Sequence, residues 1–324
     1  MNRIGMLLIS LVLILAFSSP AYGTVQGEWE GSFALSDPVA GDGWYWSTGL
    51  RLTGDWALGG GFNLTLRGSA GINSLTDEFD AILERGYIQY ENGPCRIKLG
   101  RLAVGWGTGW FFRPTDLITP LSPLSPEEGR PGRDLLTFTW ATSDLTDVEL
   151  IAGEDLYAAR AGWQLDRTSL RVLGLCEPDG RKTLGFDIQG GLGGFYSEAC
   201  CEWTDDLAGG KLAALVGWKR VLGDGLFLYL EYLRDERYRF HFGQDYLAAG
   251  LEYSRDELTT YTVAAVGNLG DGGTMLMGMA RYLLSDNFDL QGAVGLILGP
   301  EGTEFLTLAG GSRVSLSLGA KYYF

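Results

Sequence analysis

The stretch that decides the fold is RVSLSLGAKYYF, residues 313–324. Apolar side chains occupy every second position from Val314 to Phe324, and the residues between them, such as Lys321, are mostly polar or small. Successive side chains of a strand point to opposite faces. This period of two therefore predicts a β-strand with one apolar and one polar face.

The same alternation recurs along the rest of the chain. Residues 26–35 place Trp29 and Phe33 on one face, and Glu28 and Glu30 on the other. Helical periodicity is scarce, and residues 73–83 are the one stretch where we expect a short helix. The predicted strands, about 18 with 16 as the alternative, begin near residues 26, 44, 62, 85, 95, 135, 148, 157, 170, 184, 195, 212, 226, 246, 260, 275, 288 and 313.

The connections between these strands alternate in length. Tight turns such as 57–61 and 91–94 alternate with mostly longer loops such as 36–43 and 107–133, although the connections near residues 154 and 270–273 are short. Short turns at one end and long loops at the other are typical of transmembrane barrels, whose apolar face meets lipid. The sequence therefore predicts an all-β fold, an antiparallel up-and-down transmembrane β-barrel.

Composition agrees with such a barrel. Hydrophobic residues make up 46% of the chain, and they are spread out, so no later segment is apolar enough for a transmembrane helix. The net charge of −15 argues against nucleic-acid binding. Arg3, the apolar run 6–17 and the small residues Ala21 and Gly23 predict a signal peptide over residues 1–23. The barrel domain is then expected over residues 24–324.

The last strand resembles the closing strand of bacterial outer-membrane barrels, because it is amphipathic and its final residue is Phe324. That resemblance implies a bacterial outer-membrane location, contact with outer-membrane lipid and lipopolysaccharide, and recognition of this strand by the barrel-assembly machinery. Closure would pair residues 313–324 with residues 26–35. Arg313 and Lys321 would then lie beside Glu28 and Glu30, with Lys321 closest to Glu28.

A second resemblance lies in the first half of the chain. The residues that carry it are Glu84-Arg85-Gly86-Tyr87, Leu99-Gly100-Arg101, Trp106-Gly107-Thr108-Gly109 and Arg113-Pro114-Thr115-Asp116. These segments resemble a recurrent element of porin-like barrels of the alginate-export and related types, although Leu102 stands where such proteins often have Gln. The resemblance implies a passive channel for small hydrophilic solutes, with an inward segment after the fifth strand.

Charged side chains of the predicted strands fall almost entirely on the inner face. Basic residues concentrate on strands two to five and eight to nine, and acidic residues on strands ten to fourteen. We expect these separated charges to create an electric field across an aqueous lumen. The alternative is that the charges only pair with one another and bind water. The predicted pore-lining residues are Arg51, Arg67, Arg85, Lys98, Arg160, Arg171, Asp187, Glu198, Glu202, Glu231 and Glu252.

The longest loop, residues 107–133, holds five prolines, which stiffen it and keep it out of the sheet. We expect it to fold inward and narrow the pore, with an external lid as the alternative. Arg51 and Arg67 are expected to face each other across their hairpin, bridged by a carboxylate of this loop or by an anionic solute. The predicted constriction residues are Trp110, Arg113, Asp116, Glu127, Glu128 and Arg130.

Two other classes remain as alternatives, an outer-membrane hydrolase and a non-conducting structural or adhesin barrel. Hydrolases of this kind usually rely on His, and the one histidine is His241, in a predicted external loop. Its basic and aromatic neighbours fit lipopolysaccharide contact equally well. We therefore expect no catalytic residue. The cysteine spacing has no CxxC, so no metal or cofactor is expected.

Overall fold

A computed structural model describes residues 23–36, 44–74, 78–120, 130, 132–190, 193–204, 209–237 and 245–324. The predicted signal peptide, apart from Gly23, lies outside the described residues. Two predicted constriction residues, Glu127 and Glu128, and the loop residue His241 also lie outside them.

The described residues form eighteen β-strands and one short helix. The strands are β1 (Gly23–Ser36), β2 (Trp44–Gly59), β3 (Phe62–Asn73), β4 (Glu78–Asn92), β5 (Cys95–Leu102), β6 (Arg133–Ser143), β7 (Thr146–Gly153), β8 (Tyr157–Leu165), β9 (Thr168–Cys176), β10 (Lys182–Gly190), β11 (Phe195–Trp203), β12 (Lys211–Val221), β13 (Leu226–Asp235), β14 (Asp245–Ser254), β15 (Thr259–Asn268), β16 (Thr274–Ser285), β17 (Phe288–Leu298) and β18 (Val314–Tyr323). The helix, α1, spans Glu304–Leu308. Within the described residues, no helix has both the length and the apolar character needed to cross a membrane.

The sheet closes on itself. Each strand pairs antiparallel with its neighbours in sequence, and β18 returns to pair with β1. Closure leaves no unpaired strand edge. The predicted antiparallel up-and-down barrel is therefore confirmed, with eighteen strands rather than sixteen.

The closing register places Lys321 opposite Glu30. Its ammonium lies 3.5 Å from Glu30 Oε1 and 3.7 Å from Glu28 Oε1, so the expected contact between Lys321 and these two carboxylates is confirmed. Glu30, not Glu28, is the nearer partner. Arg313 lies just before β18 and donates to Gly299 O at 3.0 Å, so its expected place beside the two glutamates is wrong.

Burial follows the period of two. On β10, Leu184 and Phe186 are exposed on the outer face, whereas Thr183 and Asp187 are buried on the inner face. The two largest clusters of buried apolar side chains lie inside the barrel. Side chains of the β5–β6 connection and of α1 pack there against the inner face of β6–β9 and β11–β17.

The short helix expected at residues 73–83 is wrong where the structure describes it, because Glu78–Asn92 is strand β4. A β-bulge explains the error. Arg67 pairs with Arg85 and Gly68 pairs with Leu83, so Glu84 is an extra residue in β4. A bulge reverses the parity of the residues that precede it, and the period of two does not run through it.

Candidate functional site

The connection after β5 lies inside the barrel. Residues 103–120, which we call the inner loop, leave β5 and return toward β6, and the side chain of Thr119 joins their two ends at the base. Val104 N–H donates to Thr119 Oγ1 at 3.0 Å, and Thr119 Oγ1 donates to Val104 O at 2.8 Å. Trp106 and Ile118 are buried there against Leu173 and neighbouring apolar residues of β6–β9.

Glu198 of β11 fixes the middle of the inner loop. Its carboxylate is fully buried and accepts the backbone N–H groups of Thr108, of Gly109 at 2.6 Å and of Thr115 at 3.2 Å. Gly107 makes this turn with φ +89°, and an added Cβ would lie 2.9 Å from Glu198 Oε2. A left-handed backbone and a close carboxylate both require glycine at this position.

Glu231 of β13 fixes the tip of the inner loop in the same way. The backbone N–H groups of Trp110, Phe111 and Phe112 donate to its carboxylate, the last two at 3.0 Å. Tyr196 O–H also donates to Glu231 Oε1, at 2.5 Å. A buried carboxylate is tolerated only when several donors replace water, and here three consecutive N–H groups and a phenol do so.

Two further contacts hold the sides of the loop. Trp106 Nε1–H donates to Glu149 Oε2 at 3.0 Å. Glu149 also pairs with Arg160 at 3.1 Å, and the guanidinium of Arg160 lies 5.6 Å from the Trp106 ring. Beyond the tip, Pro114 O accepts Arg237 Nη1–H at 3.1 Å. The inner loop thus contacts β7, β8, β11 and β13, crossing much of one wall.

A cluster of charges lies on β2–β4. Glu84 Oε1 lies 3.0 Å from Arg51 Nε, and Glu84 Oε2 lies 2.9 Å from Arg67 Nε. Arg51 also contacts Glu28 Oε1 at 3.4 Å. Arg67 pairs with Thr53 in the sheet, so the expected direct opposition of Arg51 and Arg67 is wrong by two residues.

The carboxylate that bridges these arginines comes from the sheet, so the expectation of a loop carboxylate is wrong for Asp116, the one candidate that the structure describes. Asp116 instead accepts Trp106 N–H at 3.0 Å and an N–H of Arg130. The bulge in β4 makes the bridge possible because it puts Glu84 and Arg85 on one face. The sequence signal for this bulge was the pair of adjacent charged residues, Glu84 and Arg85, inside one strand.

Arg85 connects this charge cluster to the end of the β5–β6 connection. Its Nη2–H donates to Arg130 O at 2.7 Å. Arg130 also donates to Thr119 O at 2.8 Å and pairs with Asp116. Arg85 and Arg130 therefore join the inner loop to β2–β4.

The remaining predicted residues lie on the inner face with different surroundings. Asp187 is fully buried and pairs with Arg171 at 3.2 Å. Lys98 lies over the ring of Tyr87 at 5.4 Å, and Glu202 and Glu252 are half-buried. In the loop itself, the Arg113 Nε–H donates to Gly109 O at 2.7 Å, and Trp110 is exposed.

Sequence reasoning missed a second inward segment, residues 299–313. Phe305 and Leu306 of α1 pack against Phe112 of the inner loop and apolar side chains of the wall. Glu304 Oε2 accepts Tyr246 O–H and an Asn268 Nδ2–H, both at 2.7 Å. The pattern of alternating faces carries no information about a loop that turns inward. Across the part of the chain that the structure describes, no group of three or more His, Cys, Asp or Glu residues could hold a metal ion.

No protein-family model matches this sequence, and no curated protein does. Solved structures do share the fold. Pseudomonas aeruginosa OccK5 (OpdH) is similar with a TM-score of 0.63 and 11% identity over 94% of this chain and 98% of that chain. Acinetobacter baumannii OccAB3 is similar with a TM-score of 0.63 and 11% identity over 93% of this chain and 99% of that chain. A triple mutant of Rhodopseudomonas blastica porin is similar with a TM-score of 0.54 and 10% identity over 93% of this chain and 100% of that chain. By fold, the chain is a porin-like β-barrel.

Proposed function

We propose that the protein is a channel in a bacterial outer membrane through which small hydrophilic solutes diffuse passively. The observation that carries the proposal is the inner loop, which two buried carboxylates, Glu198 and Glu231, hold against one wall. The other wall keeps charged side chains in contact with solvent, among them Arg67, whose side chain is 36% exposed. A barrel of this strand number is wide enough for an aqueous passage.

The solute path in this proposal runs beside β1–β5 and β16–β18. Arg51, Arg67, Arg85 and Lys98 would line it, because the inner loop does not cover them as it covers the acidic wall. Glu198, Glu231 and Asp187 would have another role. With almost no exposed surface, they would stabilise the loop and the wall rather than meet solutes.

The narrowest part would lie between the inner loop and the charge cluster on β2–β4. Arg85 supports this placement, because it contacts Arg130 O while its neighbour Glu84 pairs with Arg51 and Arg67. Arg130, whose side chain keeps some exposed surface, would form the loop side of the constriction, and the buried Asp116 would hold it in place. Fixed charges of both signs at such a point reject apolar solutes and orient polar ones.

A passive channel requires no catalytic group, and we propose no enzymatic activity. The charged groups inside the barrel support this choice, because Glu149, Glu198 and Glu231 already hold the inner loop. Lipid would contact the apolar outer face, with exposed residues such as Phe186 and Leu318. Lipopolysaccharide and the assembly machinery remain partners that the resemblance to outer-membrane barrels implies.

Two measurements on the purified, reconstituted protein test the proposal. In planar bilayers we expect stepwise currents, and in liposome-swelling assays we expect uptake of small sugars that falls as the sugar grows. Absence of both currents and swelling would contradict a channel and favour a non-conducting structural barrel. Uptake that does not depend on solute size would contradict a narrow constriction.

A further inference from the structure

An aromatic surface lies inside the barrel near the start of β13, apart from the charge cluster on β2–β4. Trp110, at the tip of the inner loop, has its ring centroid 5.2 Å from that of Phe227 and 5.1 Å from that of Tyr229. The Phe111 ring lies 5.3 Å from Tyr229. Trp110 nevertheless remains 44% exposed. A large ring that stays open to the lumen offers a contact surface to a solute.

Charges of opposite sign flank this surface on the neighbouring strands. Lys219 of β12 stands opposite Tyr229 in the register, and Glu252 of β14 stands opposite Phe227. Within the described residues, neither side chain forms an ion pair; the Lys219 ammonium lies 5.4 Å from the ring of Tyr196. From the strand spacing and the rise per residue, the Cα atoms of Lys219 and Glu252 are roughly 12 Å apart.

We propose that Trp110, Phe227, Lys219 and Glu252 form a binding site for short peptides with free termini and an apolar side chain. The inference rests on the proposed channel function and names a solute class for it. The peptide carboxylate would pair with Lys219, its ammonium with Glu252, and its side chain would contact the rings. An extended tripeptide spans about 10 Å, which the two flexible side chains can match.

Charge complementarity selects this class over others. A neutral sugar would use the rings but neither charge. An anion or a cation would pair with one flanking group and meet a like charge at the other, which disfavours it. A dipolar solute with an apolar body uses all three features, and the few polar groups around an apolar surface fix its orientation.

The test uses the reconstituted channel and current interruptions by the tripeptide Ala-Phe-Ala. The matched probes are the same peptide with its amino terminus acetylated, the same peptide with its carboxyl terminus amidated, and maltotriose. We expect the free peptide to bind most tightly, and each cap to weaken binding by roughly twofold to fivefold, as for partly exposed ion pairs. Trp110→Ala is expected to weaken it by roughly threefold to tenfold, because ring contacts are lost.

Two wall variants assign the ends of the peptide. Lys219→Met is expected to weaken the free peptide and the acetylated peptide but to leave the amidated peptide unchanged, and Glu252→Gln is expected to do the reverse. Lys182→Met is the control, because Lys182 lies at the start of β10 on the outward face that it shares with Leu184 and Phe186. It removes one lysine charge outside the lumen without changing the preference for free termini.

Equal binding of capped and free peptides, or tighter binding of maltotriose, would overturn the inference. So would a Lys219→Met channel that still distinguishes the free from the amidated peptide. These results decide the inference even if the Trp110→Ala variant does not fold. A protein that forms no conducting pores contradicts the proposed function and this inference with it, whereas conducting pores that bind no peptide contradict this inference alone.

Discussion

Glu231 accepts the backbone N–H of Phe112 at 3.0 Å, although 119 residues separate them in the chain. The contact ties the tip of the inner loop to β13. Because Glu231 is 1% exposed, water cannot replace the donors that the loop supplies. The position of the loop and the burial of this carboxylate therefore depend on each other.

Replacing the two anchoring glutamates tests that dependence. Glu198→Gln or Glu231→Gln removes one acceptor oxygen and aims an amide N–H₂ at backbone donors. We expect each to destabilise the loop by about 3 kcal/mol, the lower end for breaking a buried charge arrangement. Single-channel currents should become noisier, and amide hydrogen exchange at residues 108–115 should rise.

Glu202→Gln is the matched control for both substitutions, because Glu202 lies on the inner face of β11, as Glu198 does, but is only half-buried. It should leave the current noise and the exchange unchanged. If Glu198→Gln and Glu202→Gln behave alike, the hydrogen bonds from backbone N–H groups to Glu198 do not hold the loop.

Gly107→Ala is expected to disturb the same loop from the other side of the contact. The substitution combines a left-handed backbone with a Cβ 2.9 Å from Glu198 Oε2. Its cost should exceed the roughly 1 kcal/mol of a left-handed non-glycine residue alone. Thermal unfolding measures it, with Gly272→Ala as the control, since Gly272 has φ +74° and open space around it. Equal losses in the two variants would mean that the Glu198 contact contributes nothing.

Charge reversal on β2 and β3 tests the proposed field. Arg51→Glu with Arg67→Glu is expected to shift the reversal potential in a salt gradient toward cation preference, because two half-buried positive charges beside the proposed constriction become negative. Arg96→Glu, near the turn after β4, reverses one exposed charge away from that region and should have a small effect. Unchanged selectivity in the double variant would mean that the lumen charges only pair and solvate.

Removing the bridging carboxylate of Glu84 should shift the reversal potential in the opposite direction. Glu84→Gln leaves Arg51 and Arg67 close together without their shared carboxylate. Like charges at short range attract an anion, so we expect a shift of the reversal potential toward anion preference. The same measurement on Asp55→Asn, at the far end of β2, controls for a general loss of negative charge. A Glu84→Gln channel that shifts toward cations would contradict the geometry of the cluster.

The strands could be predicted from the sequence because lipid-facing and inner residues alternate along each of them. Most strand starts, such as Trp44 and Phe288, follow from that alternation and from turn residues. β4 did not, because its bulge at Glu84 reverses the parity within one strand. The sequence also did not predict that Glu198 and Glu231 hold the inner loop. The pattern places Glu231 on the inner face, but whether water or a loop faces it depends on contacts more than a hundred residues away.

The central claim is that the barrel is a water-filled channel narrowed by its inner loop. The most direct measurement compares the single-channel conductance of the native protein with that of a variant whose residues 107–115 are replaced by a short Gly-Ser linker. We predict stable stepwise currents for both proteins and a larger step for the variant. No currents from either protein, or equal steps from both, would contradict the account.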